Sequence, residues 1–155
     1  MGSRSNNDLA YIAGFLDGDG SLMLQIKKRH DGKRKWRFMA TICFYQDSRH
    51  ESPLSWIRSV LGIGYVSKRN DGMSELRING FKQVQDILKK LMPFIKFKDE
   101  QAKALYYATE ILTKAQDLKS LKKLIDCVLK IQEHNYAAKR KKTKQELYSL
   151  LDLTP

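Results

Sequence analysis

Apolar residues recur at helical spacing at Leu9, Ile12, Ala13 and Leu16, and the pattern then breaks into Asp17-Gly18-Asp19-Gly20. From Ser21 the period changes to two. Leu22, Leu24 and Ile26 alternate with Met23, Gln25 and Lys27. The switch predicts a helix from Asp8 to about Asp17, capped by Asn6, Asn7 or Asp8, and a strand over 21–29. Between them the sequence predicts an acidic turn in which Gly18 and Gly20 take backbone angles closed to a side chain.

His30-Asp31-Gly32 reads as a turn into a second strand over 35–46. That strand carries Trp36, Phe38, Ala40, Ile42 and Phe44 on one face and Arg37, Met39, Thr41, Cys43 and Tyr45 on the other. Ser52-Pro53 opens a helix with Leu54, Ile57 and Leu61 inward, closed by Gly62. Strands over 64–69 and 74–78 flank the turn Asn70-Asp71-Gly72, and a helix follows over 81–91. Further helices are expected over 98–112, around Leu121 to Gln132, and over 145–151. The fold class is α+β, an αββαββα core with a four-stranded antiparallel sheet, one face buried and one exposed, plus C-terminal helices. Residues 1–7 read as a leader, 8–135 as the domain and 136–155 as a basic segment with a short helix.

Charge changes the picture. The 155 residues hold 29 Lys and Arg against 17 Asp and Glu, a net +12, which implies a polyanionic partner or an acidic surface. The first hairpin concentrates it: Lys27, Lys28, Arg29, Lys33, Arg34, Lys35 and Arg37 against Asp31 alone. A ribbon bearing Gln25, Lys27 and Arg29 fits a DNA major groove, where Arg and Gln read base edges and Lys meets phosphates. A solvated loop would look similar. Residues 139–144 form a second basic run, either a phosphate clamp through Lys139 and Lys142 or a solubilising linker. Two cysteines, Cys43 and Cys127, lie in no zinc pattern, and no apolar run reaches membrane-spanning length.

Carboxylates at the C-terminal end of a helix oppose its dipole. Asp17 and Asp19 therefore sit against their local preference, which a divalent cation would offset. The spacing is not that of a calcium loop. Ala10, Gly14 and Gly18 recur every four residues, a small-residue ridge on which another backbone can pack closely.

Tyr11 to Ser21 reads Y-I-A-G-F-L-D-G-D-G-S and resembles the signature helix of the LAGLIDADG homing endonucleases, in the single-motif branch found in group I introns. Leu61-Gly62-Ile63-Gly64-Tyr65-Val66 resembles that family's turn into its third strand. Pro93-Phe94-Ile95-Lys96-Phe97-Lys98, with Gln101-Ala102, resembles its entry to the later helices. The resemblance covers residues 8–135. It implies a site-specific double-strand DNA endonuclease serving intron homing. Such an enzyme cleaves a long pseudo-palindromic site across the minor groove by metal-dependent hydrolysis and leaves 3′ overhangs. It implies a saddle-shaped sheet over the duplex, with Met23, Gln25, Lys27, Arg29, Lys33, Arg37, Met39, Thr41, Cys43, Ser67, Arg69, Glu75 and Arg77 toward DNA. Cys43 and Met39 stand where relatives carry polar readers, so apolar contacts are expected there.

The same resemblance makes Asp19 the catalytic, metal-binding acid and the Gly18 carbonyl a further ligand. Asp17 would be a structural helix-end group, Gln46 would order water, and Lys98 would stabilise developing charge. His50 stands where the family has another basic residue. Mg2+ is the implied cofactor, with Mn2+ as substitute and Ca2+ supporting binding without efficient cleavage. Two strands must be cut and the chain holds one signature, so a homodimer is expected, with Ala10, Ala13, Gly14, Asp17 and Gly18 at its interface. An intracellular, organellar setting (chloroplast or mitochondrion) follows by the same resemblance. Two alternatives stay open: a maturase that binds folded intron RNA, and a catalytically idle DNA-binding regulator.

Overall fold

The computed structural model describes residues 5–135 and 141–153. Helix α1 (Asn6–Asp19) starts at Asn6 because Ser5, not residues 6–8, caps it: Ser5 Oγ accepts the Asp8 amide at 3.1 Å. Residues 5–7 thus belong to the domain, and residues 1–4 of the expected leader lie outside the described residues.

Strand β1 (Gly20–Lys28) follows α1 directly. The expected glycine turn is absent. Gly18 is helical, and Gly20 is extended at φ −135° and ψ 174°. What glycine provides at position 20 is space. A Cβ there would stand 2.6 Å from Leu16 Cδ1, 2.8 Å from the Leu16 carbonyl oxygen and 2.9 Å from that of Cys43.

Strand β1 pairs antiparallel with β2 (Trp36–Asp47), β2 with β4 (Met73–Asn79), and β4 with β3 (Tyr65–Lys68), giving the order β1-β2-β4-β3. Helix α2 (Ser52–Leu61) ends at Gly62, whose φ of 74° is the left-handed cap expected of glycine. Helices α3 (Phe81–Leu91), α4 (Asp99–Leu112) and α5 (Leu118–His134) complete the layer over one sheet face. There Leu22, Leu24, Phe38, Ala40, Ile42, Phe44, Leu76 and Ile78 meet the helices' apolar stripes in a continuous core. The αββαββα order and the α+β class stand as expected.

The short helix expected in the C-terminal segment packs on the domain. Helix α6 (Lys144–Leu150) puts Leu147 and Tyr148 into the same core, joined by Leu151. The Gln132 side chain grips the main chain of Lys142 on both sides, donating to its carbonyl at 3.1 Å and accepting from its amide at 3.0 Å.

Gly20→Ala should lower stability by about 1–3 kcal/mol, the usual cost of overpacking a site that cannot yield. Gly14→Ala, where a Cβ would meet nothing within 4 Å of the same chain, should not. Urea unfolding midpoints compare the two.

Candidate functional site

The two acids at the end of α1 have different fates. Both oxygens of Asp17 are committed within the chain. Oδ2 accepts the amides of Lys96 and Phe97 at 2.8 and 3.1 Å, and Oδ1 accepts that of Lys98 at 3.0 Å. These are open backbone donors at the entry to α4, which has no side-chain cap of its own. The electrostatic conflict at the end of α1 is thus resolved, for Asp17, by three successive backbone amides just ahead of α4. Its carboxylate is occupied within the chain.

Asp19 remains. It is exposed, and its carboxylate makes no hydrogen bond among the described residues. Lys98 reaches back beside it, donating from Nζ to the main-chain oxygen of Asp17 at 2.5 Å. Burial pushes the Lys98 ammonium below the ordinary lysine pKa, against the upward pull of the Asp17 and Asp19 charges. Gly20 pairs with Phe44, and Gln46 lies two residues further along β2. Gln46 Oε1 accepts the Asp47 amide at 2.9 Å, leaving its amide nitrogen without a hydrogen-bond partner among the described residues. The register thus brings Asp19, Gln46 and Lys98 to one end of the sheet. His50 is exposed at the end of a short 3-10 turn, Ser48–His50, in which Arg49 pairs with Asp47 at 2.8 Å.

The donor set suits a hard divalent cation bound jointly with another molecule. The carbonyls of a helix's last turn lack intrahelical partners, and the Gly18 carbonyl lies in that turn beside the Asp19 carboxylate. Among the described residues no group of three or more His, Cys, Asp or Glu side chains comes together, so one chain does not complete a coordination shell from its side chains.

On the outer face of α1, Ala10, Gly14 and Gly18 are exposed, as is Tyr11, which meets Trp56 edge-on at 5.4 Å between centroids. This aromatic pair was not anticipated; its signal was an aromatic residue on an otherwise small-residue face. Ala13, expected with them at the dimer interface, does not reach the surface. It is fully buried in the chain's own core.

The sheet face away from the helices carries the rest. Met23, Gln25, Met39 and Ser67 are half-buried, while Lys27, Arg37 and Arg69 are exposed, as are Arg29 and Lys33 in the β1–β2 loop. Arg29 lies 3.6 Å from Asp31, and Arg69 pairs with Asp71 at 2.8 Å. Two expected DNA contacts are corrected. Thr41 is fully buried with its hydroxyl donating to Asn79 at 2.7 Å, and Cys43 is fully buried beside Glu75, so neither offers surface to a base. Glu75, expected to face DNA, is tied to Arg77 at 3.2 Å. Lys142 is exposed; Lys139 lies outside the described residues.

A family model of LAGLIDADG endonucleases matches residues 12–107. The chain is 32% identical to DNA endonuclease I-CreI of Chlamydomonas reinhardtii over 156 aligned positions, 98% of this chain and 94% of that protein. It is 36% identical to DNA endonuclease I-CvuI of Chlorella vulgaris over 108 residues, 70% of this chain and 67% of that one. The fold superimposes on a crystal structure of I-CvuI bound to the I-CreI target with a TM-score of 0.85, covering 96% of each chain at 30% identity. With this match spanning the signature helix, the sheet and the entry to α4, the chain belongs to the LAGLIDADG endonuclease family.

Proposed function

We propose that this chain is the subunit of a homodimeric, magnesium-dependent, site-specific DNA endonuclease that serves intron homing. The observation that carries the reading is the free, exposed Asp19 carboxylate, standing beside a desolvated Lys98 at the end of a basic sheet face. The relatives' names agree with it: both are DNA endonucleases, and I-CvuI has been crystallised on the I-CreI target with magnesium, where the DNA is not cleaved, and on its own target with calcium. The reading includes an organellar home, in keeping with relatives from Chlorella vulgaris and Chlamydomonas reinhardtii.

Asp19 and the Gly18 carbonyl would hold magnesium, with DNA phosphate and water completing the shell. Bound there, the ion would neutralise phosphate charge and favour a hydroxide nucleophile. Gln46 orients water through its unpaired amide. Lys98, held by the Asp17 carbonyl, sets a positive charge where negative charge develops. Each chain has one such acid, and a double-strand cut needs two. Two α1 helices packed through Ala10, Gly14 and Gly18 bring both Asp19 residues to the centre, over a near-palindrome.

Asp19→Asn should lower cleavage roughly a thousandfold or more, the several kcal/mol a metal clamp contributes, while leaving binding intact. Gel shifts with calcium and plasmid cleavage with magnesium separate the two; a variant that cuts at the wild-type rate removes Asp19 from the site.

Affinity should fall steeply with salt as counterions are released. The double variant Lys139→Ala, Lys142→Ala should weaken all sequences alike and shallow the salt slope by about two. An unchanged slope returns both lysines to solvent. Gly14→Leu should reduce dimer content in sedimentation and cleavage together, with the monomer fold retained.

A further inference from the structure

Cross-strand register sets Ser21, Cys43, Arg77 and Tyr65 in one row across the exposed sheet face. On β1 this row is two residues from Asp19, whereas the hairpin tip, Lys27 opposite Arg37, lies three rows further out. Arg77 is not free to wander. Its Nε donates to Glu75 Oε1 at 3.2 Å. The other carboxylate oxygen, Oε2, accepts from Cys43 Sγ at 3.8 Å. Burial raises the Cys43 thiol's pKa, so at neutral pH it keeps the proton it donates. The Glu75 side chain is only 12% exposed and that of Arg77 24%.

This arrangement has two chemical consequences. With Nε committed, the terminal nitrogens of Arg77, which make no hydrogen bond among the described residues, are the guanidinium edge left for a ligand. Their paired N–H groups match the O6 and N7 acceptors of guanine. Second, the neighbouring carboxylate cancels the local charge. A neutral pair gains little from a phosphate but keeps the directional bonds that read a base edge.

We infer that Arg77 reads a guanine in the inner part of each half-site, and that Glu75 is a positioning residue that aims it rather than a DNA contact. The inference rests on the proposal that this sheet face lies on DNA.

The test is binding selection from a library of randomised sites by the full chain, at two salt concentrations. The wild type should select one inner guanine, repeated symmetrically in both half-sites. Arg77→Ala should flatten that preference about tenfold or more, at that position alone. Arg77→Gln should move it from guanine to adenine, the base that Gln matches, a switch that loss of folding cannot imitate. Glu75→Gln, of equal size, should flatten the same position and leave the others as they are.

Uniform weakening of all sequences by Arg77→Ala, with a shallower salt slope, would make Arg77 a phosphate contact and overturn the inference. So would selection by Arg77→Gln that is unchanged at every position. An intact guanine preference in Glu75→Gln would overturn the positioning role. A wild type that selects no sequence would overturn the proposed function itself, whereas selection independent of Arg77 would overturn this inference alone.

Discussion

The carbonyl oxygens of Leu16 and Cys43 both lie within 3 Å of the point where a side chain at position 20 would begin. Having no side chain there lets α1 pass into β1 with no linker, and the acidic end of the molecule depends on it. The last helical turn, with Asp17 and Asp19, is welded to the first residue of the sheet. Asp17 then fastens the same turn to the start of α4 through the amides of residues 96–98. Lys98 is carried to the site by the segment that Asp17 grips. One acid is consumed in building the junction, and the other stands free on it.

The sheet separates two kinds of chemistry. Its inner face is apolar and packed under the helices. Its outer face is not uniformly open. Thr41 and Cys43, at the middle of β2, are sealed beneath Asn79 and the Glu75–Arg77 pair, while the charged hairpin projects beyond the layer. Positive charge is therefore exposed at the hairpin and held against a carboxylate near the acidic end. Long-range attraction to a polyanion and directional recognition fall on different parts of one surface.

Much of this was legible in the sequence because the two periods are clean. The alternation in 21–27 and 36–45 and the helical stripes of α2 and α3 set the order of elements, while Asp19 and Lys98 stand in motifs that resemble the family and Gln46 is named only by the resemblance as a whole. The sequence misled where function depends on what side chains find in three dimensions. It read Gly20 as a turn former, because close approach of Leu16 and Cys43 leaves no local mark. It placed Ala13 at the dimer interface with Gly14, although the helix turns position 13 into the core. Alternation puts Thr41 and Cys43 on the outer face but is blind to the neighbours that cover them. The grip of Gln132 on Lys142 joins residues ten apart by side chain to main chain, which no periodicity records.

The central claim is that two copies of one acidic turn, one per chain, meet over a single DNA site. Native mass spectrometry of the wild-type chain on a cleavable duplex in calcium tests it most directly, with magnesium then added to the same sample. The account predicts two chains per duplex, and cuts placed symmetrically about the centre of the site. One chain per duplex, followed by a double-strand break when magnesium is added, would contradict it.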